Sequence, residues 1–334
     1  MSERASVLVV SLGTTGGWRA AAEELVGALR RAGVQDVALA QPASMPRVRT
    51  FALTDLTQAL GARRAACTAI ERSRPAAVVY CSITAALLWP MPGAIWLDAV
   101  AAENRPGRHG VWQRRLERTR LEQAPLVMTM APRSLEPVAD IGLDPVLVPV
   151  PVQIFEDTRE RARDIDAVTY AGDPKKKRLE AILDAWSRAR RDHETLVVAG
   201  SDQVSVKRSG VSVVGRLAAL EYRNLLRRAK LFLAAPRRED YGIAPLEALA
   251  NGCQLVTTPA PGPYPALELA RQLDDRLVDE NLARAIRAAL DDPLPAYAAR
   301  AVELLAPFSH DSIDQTIRSH VLPRLLPHFA SASS

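Results

Sequence analysis

The run LFLAAPRREDYGIAPLEALANGCQLVTT, residues 231–258, carries the pattern that decides the fold. It opens on an apolar stretch of strand length, Leu231–Ala234, and closes on another, Leu255–Thr258. Between them the spacing predicts a helix that begins near Ile243 and ends at Gly252, with Pro245 in a first turn where a missing N–H costs nothing. Strand, helix, strand at this length is the repeating unit of a parallel α/β sheet. Gly242 lets the backbone approach a ligand, and the first amides of the helix, from Ile243, lack intrahelical partners and carry the positive end of the dipole. The turn is therefore a candidate phosphate site, with Glu239 before it and Glu247 one to two turns inside.

Working outward, the same alternation fills the chain. In the second half, strand candidates Val168–Ala171, Thr195–Ala199 and Val211–Val214 accompany a helix at Arg178–Arg191. Residues Glu280–Leu305 and Ser312–Leu325 read as helical. In the first half, Ser6–Leu12 is a Val-rich strand that runs into Gly13–Gly17 and a helix at Arg19–Arg31. Further strands are expected at Val37–Ala40, Ala76–Cys81, Ala94–Leu97, Leu126–Met130 and Val146–Val150, with helices at Leu53–Arg72 and Val111–Gln123. The charged, strand-poor Glu156–Asp166 marks a linker. The expected organisation is an N-terminal domain over 1–150, a linker over 151–167, a C-terminal domain over 168–308, and a last helix, 309–328, packing back across both.

The 334 residues suffice for two such domains, and 48% apolar with 24% charged is the balance of a soluble globular protein. The net charge of +5 comes without zinc spacing, an RNA-binding aromatic signature or a basic region leading into heptads, so nucleic acid is not an expected partner. Cys67, Cys81 and Cys253 are scattered, as reduced thiols in a cytoplasmic protein are. Ala76–Leu97 is uncharged and long enough to span a membrane, but Pro90, Pro92 and Gly93 break it into strand, short helix, turn and strand. No clustered Asp/His set suggests a metal.

On Glu239 and Glu247 with seven residues between, Gly242, Leu246-Glu247-Ala248 and Ala250-x-Gly252, the chain resembles the retaining glycosyltransferases of the GT-B fold, the GT4 or group 1 family. Val213–Leu217 resembles that family's strand and Gly-Arg turn, and Leu225–Leu233 its helix and strand before the motif. Gly16-Gly17, Arg118–Pro132 and Val168–Trp186 extend the likeness more faintly. The resemblance implies two Rossmann-like domains facing across a cleft, the acceptor held mainly by the first and a nucleoside diphosphate sugar by the second. It implies a retaining hexosyltransferase with no cofactor and no metal. Glu247 would bind the donor ribose hydroxyls, Glu239 would face the transferred sugar as the catalytic carboxylate, and Lys177 would sit on the diphosphate with Gly16, Gly17, Arg216, Gly242 and Ile243 nearby.

The chain departs from that pattern at two places. Asp173 stands where the family has an Arg, with Lys175 or Lys176 as replacements for its charge, and Leu97 stands where a His often precedes Asp98. Asp98 and His109 are then the candidates on the acceptor side. Arg108–Arg120 reads as a solvated Arg-rich helix with an apolar face in the core, in preference to contact with an anionic membrane. The rival readings are a sugar-nucleotide epimerase of the same architecture and an inactive nucleotide-sugar binding protein. Dinucleotide-dependent dehydrogenation is disfavoured, because Gly13–Gly17 lacks the Gly-x-Gly-x-x-Gly spacing.

Overall fold

The computed structural model of the chain describes residues 6–43, 50–154 and 163–327. It divides into two compact units, Met1–Pro151 with His310–Ser334, and Val152–Ser309. The first runs β1 (Ser6–Ser11), α1 (Gly16–Arg31), β2 (Asp36–Ala40), α2 (Phe51–Ser73), β3 (Ala77–Cys81), α3 (Ile83–Ala86), β4 (Ala94–Leu97), α4 (Ala101–Asn104), α5 (Val111–Gln123), β5 (Val127–Thr129) and β6 (Val146–Leu147). All six strands are parallel, in the order β2-β1-β3-β4-β5-β6. Val7 to Val10 are buried without interruption, as a strand covered on both faces requires. Helix α1 starts earlier than the expected Arg19, because the Thr15 hydroxyl accepts the Trp18 N–H at 3.2 Å and caps the helix ahead of Gly16. Trp96 of β4 is fully buried and its indole N–H donates to the Val148 carbonyl at 2.8 Å, which fastens the segment after β6 to the sheet.

The second unit runs β7 (Ile165–Tyr170), α6 (Leu179–Ala189), β8 (Leu196–Ala199), β9 (Val211–Gly215), α7 (Ala219–Arg228), β10 (Ala229–Ala234), α8 (Ile243–Ala250), β11 (Gln254–Thr257), α9 (Pro265–Asp274), α10 (Leu282–Asp291) and α11 (Tyr297–Leu304). Its five parallel strands lie in the order β11-β10-β7-β8-β9. Strand order therefore reverses between β7 and β10, and this switch point is where an open α/β sheet leaves a crevice at its carboxyl edge. The single helix expected over 280–305 is two, α10 and α11, since Pro293 and Pro295 lie in the break between them. Residues 155–162 of the expected 151–167 linker lie outside the described residues, and β7 already begins at Ile165.

The chain then returns to the first unit as α12 (His310–Thr316), a π-helical turn at Ile317–Val321, and α13 (Leu322–Leu325). Asp314, nearly buried, accepts two hydrogen bonds from the Arg31 guanidinium at 2.7 and 3.0 Å and so ties α12 to α1. Among the described residues no helix is long and apolar enough to cross a membrane. All three cysteines are free thiols, two of them buried.

Because Arg31 is 42% exposed, the Arg31–Asp314 clamp is worth about 1 kcal/mol rather than the full value of a buried pair. Asp314→Ala is expected to speed amide hydrogen exchange in residues 310–325 about fivefold. Unchanged protection in that segment would show that apolar packing alone holds it.

Candidate active site

The β7–β10 switch point brings together two loops that are far apart in sequence. Thr169 near the end of β7 donates its hydroxyl proton to the Leu233 carbonyl at 2.9 Å, locking the register Phe232↔Val168 and Leu233↔Thr169. Beyond it, the Arg237 N–H donates to the Lys176 carbonyl at 3.0 Å, so the loop after β7 and the loop after β10 are stitched to one another. The Lys177 ammonium then meets the Glu239 carboxylate directly, with both side chains largely buried. On its other side Glu239 is held through the backbone, its N–H donating to the Pro261 carbonyl at 3.0 Å. Gly262 lies so close that an added Cβ would stand 2.2 Å from the Glu239 carbonyl oxygen.

Gly242 precedes α8 at φ +78°, a left-handed conformation that favours glycine. There is no room for a side chain either: a Cβ would lie 2.9 Å from the Tyr264 ring and 3.0 Å from Cγ of Glu239. The Ile243 and Ala244 amides open α8 without intrahelical acceptors, beside Glu239. A cavity of about 10 Å³, the size of one water, lies between Thr169, Lys177, Pro236, Glu239 and Ala244.

Glu247 sits one turn further along α8. Burial pushes its carboxyl up to about 7, and only the charge of Arg223 opposes this. The neighbouring Tyr222 is buried, its hydroxyl has no hydrogen-bond partner among the described residues, and its ring meets Tyr170 edge-on at 5.7 Å. The Tyr170 ring in turn covers the backbone at Gly172 and Gly200, where a Cβ would lie within 2.7 Å of it. Arg216, exposed after β9, has its N–H held by the Asp202 carboxylate at 2.8 Å, while Gly215 at φ +68° makes the turn.

Lys177, Glu239, Gly242, Ile243 and Glu247 thus surround one helix terminus, with Arg216 at the end of β9 in the same unit. Gly16 and Gly17 belong to the first unit, on the exposed N-terminus of α1, where a Cβ at Gly16 would meet nothing within 4 Å. Asp98 follows β4 and accepts the Ala99 N–H at 2.8 Å. The His109 side chain lies outside the described residues. Asp173 caps its own loop by accepting the Lys176 N–H at 3.1 Å, so this departure has a local structural role. Sequence reading overlooked the Pro261-Gly262 contact, although Pro-Gly is a turn signal in its own right. It also overlooked Tyr170 and Tyr222, whose side chains matter only through tertiary packing. Among the described residues no group of three or more His, Cys, Asp or Glu side chains is arranged to hold a metal ion.

Two parallel α/β units with this site define the GT-B architecture of two Rossmann-like domains, and solved structures agree. A sucrose-phosphate synthase from Thermosynechococcus elongatus superposes with a TM-score of 0.70 over 99% of this chain and 100% of its own, at 16% identity. The Anabaena HepE protein in complex with UDP and glucose gives 0.65 over 95% and 99%, at 13% identity. A Listeria monocytogenes protein assigned as a UDP-N-acetylglucosamine 2-epimerase gives 0.61 over 98% and 97%, at 13% identity. Residues 166–292, within the second unit, match the family model described as glycosyl transferases group 1. No curated protein matches the sequence.

Glu247 has a stability consequence. Burial raises its folded pKa to about 7, above the ordinary carboxyl value of 4.5, so the stability it contributes is present below about pH 4.5 and is lost as pH rises through 7. Glu247→Gln removes that dependence. Between pH 5 and pH 8 the melting temperature of the wild type is expected to fall steadily relative to the variant. Parallel curves would mean that the folded carboxylate is not destabilised.

Proposed function

We propose that the protein transfers a hexose from a nucleoside diphosphate sugar to an acceptor hydroxyl, with retention of anomeric configuration and without a metal. The observation that carries this reading is the Lys177–Glu239 pair at the β7–β10 switch point, beside the free amides of α8. In the proposed step the bond between the sugar anomeric carbon and the diphosphate oxygen breaks. A bond from the acceptor oxygen to that carbon forms, the hydroxyl proton passes to the departing diphosphate oxygen, and the nucleoside diphosphate leaves carrying it. Lys177 and the Ile243 and Ala244 amides receive the negative charge that grows on the leaving group. Glu239 stabilises the positive charge that grows on the sugar. Glu247 accepts hydrogen bonds from the donor's ribose hydroxyls, and these bonds offset the cost of its burial. A single carboxylate near the sugar separates this site from hydrolases that place two across the bond.

Glu239→Ala is expected to reduce transfer by about a hundredfold or more while nucleoside diphosphate binding, followed by thermal shift, persists. Lys177→Ala is expected to weaken both. Full transfer activity in Glu239→Ala removes the catalytic assignment. The epimerase reading, which the Listeria neighbour keeps in view, is separated by incubating nucleotide sugars without acceptor. An epimerised donor supports the epimerase, an intact or slowly hydrolysed one the transferase. A panel of UDP-, GDP-, ADP- and dTDP-sugars in the same thermal-shift format identifies the donor.

A further inference from the structure

The first unit holds a cavity that the donor site does not use. It lies past the carboxyl ends of β4 and β5, the edge at which open α/β sheets bind ligands, and is an open hollow of about 320 Å³. Its apolar wall is Val111 and Val138, its floor is Glu117, and its rim is Arg114, Arg115 and Arg118. The rim is largely preset. Arg114 donates to the Arg105 carbonyl and, at 3.0 Å, to that of Gly107. Gly110 makes this docking feasible, because a Cβ there would stand 2.0 Å from the Arg105 oxygen and 2.7 Å from Nη1 of Arg114. Arg118 is held by Asp140 at 2.7 Å and Glu122 at 3.2 Å. The exposed Arg115 guanidinium has no hydrogen bond or ion pair among the described residues.

Glu117 is 1% exposed. Its oxygens accept the Ala101 N–H at 2.5 Å and the Ala102 N–H at 3.2 Å, capping α4 where Val100 offers no polar side chain. That accounts for the backbone bonds of the carboxylate but not for the cavity it faces, nor for three guanidiniums gathered around that cavity. Burial holds the Glu117 carboxyl near 7, so its charge cancels only part of the positive rim. Guanidiniums recognise phosphate through paired hydrogen bonds, a carboxyl accepts or donates to hydroxyls, and aliphatic walls suit the C–H face of a ring.

We propose that this cavity binds a phosphorylated sugar or polyol, with Arg115 closing on the phosphate between Arg114 and Arg118, and Glu117 and the apolar wall against the hydroxylated ring. The binding claim stands on the cavity alone; that its ligand is the acceptor rests on the glycosyl-transfer reading. The same chemistry is found on free sugar phosphates and on phosphorylated polyol headgroups of lipids.

The test is isothermal titration of the full chain with glucose 6-phosphate, fructose 6-phosphate, inositol 1-phosphate, glucose and inorganic phosphate. Sedimentation with phosphatylcholine vesicles, with and without phosphatidylinositol 4-phosphate, runs beside it. At least one phosphorylated polyol, free or on vesicles, is expected to bind tenfold or more tightly than inorganic phosphate. Arg115→Ala, an exposed change that spares the core, is expected to weaken that binding at least tenfold. Binding of the soluble phosphates assigns the free ligand, and binding only of phosphoinositide vesicles assigns the lipid. No saturable binding, equal binding of inorganic phosphate, or indifference to Arg115→Ala overturns the proposal. So does loss of binding in Lys177→Ala instead, which would place the phosphate in the second unit. Failure of every nucleoside diphosphate to stabilise the protein would count against the transferase reading while leaving this result standing.

Discussion

The pairing of β7 with β10 is the constraint on which the candidate site depends. Lys177 and Glu239 are 62 residues apart, and nothing local could bring them together. The parallel register through Phe232↔Val168 and Leu233↔Thr169 delivers both strands to the same edge. The reversal of strand order there opens a crevice at that edge. Everything else at the site refines this placement. Gly242 and Gly262 remove the atoms that would push Glu239 away, and the Arg237–Lys176 backbone bond fixes the spacing of the two loops. The ion pair is a consequence of sheet topology before it is a feature of chemistry.

Two carboxylates, the half-buried Glu247 and the buried Glu117, show how one physical effect can arise from different surroundings. Both are pushed to about 7 by burial. Glu117 receives two backbone N–H groups, each of which favours its ionised form, and two arginines add to this. Glu247 has the distant charge of Arg223 alone, beside a Tyr222 hydroxyl with no partner of its own. The first is a satisfied cap that borders a cavity. The second is a polar cluster whose hydrogen bonds are incomplete within the protein, and incomplete buried groups are costly unless a ligand supplies the missing partner. Raised carboxyls alone would not tell the two apart; the hydrogen-bond inventory does.

Much of the fold was legible because parallel strands covered on both faces are short continuous apolar runs. Ala94–Leu97 and Val111–Gln123 fall where the pattern puts them, and α8 and its flanking strands agree to within two residues. Helix α9 has no clear signal in the sequence, because Pro263 and Pro265 flank its start, yet Pro265 occupies the first helical position, where proline is tolerated. The division of 280–305 was available from Pro293 and Pro295 and was outweighed by the apolar pattern on either side. At the site, Glu239, Gly242 and Glu247 were legible as a spaced motif. Glu117 was not: in an Arg-rich helix it reads as one more surface charge, and only the packing of α4 over α5 buries it.

The departure at Asp173 bears on how charge is managed in the second unit. An arginine there would add a guanidinium beside the phosphate position proposed above; the aspartate spends its carboxylate on the Lys176 N–H and holds the loop that carries Lys177. The Lys177 N–H donates to the Asp173 carbonyl at 3.0 Å, so both ends of that short turn are anchored to the same residue. Arg178 then adopts φ +51° to start α6. A non-glycine residue in this region costs about 1 kcal/mol and is retained only where its surroundings impose it. The loop therefore has a carboxylate at this position in place of a guanidinium, and the carboxylate fixes the geometry of the turn that carries Lys177. With fewer cations available, the free amides of α8 carry a larger share of any anion's stabilisation, which is why the tight approach at Gly242 matters as much to this site as the lysine does.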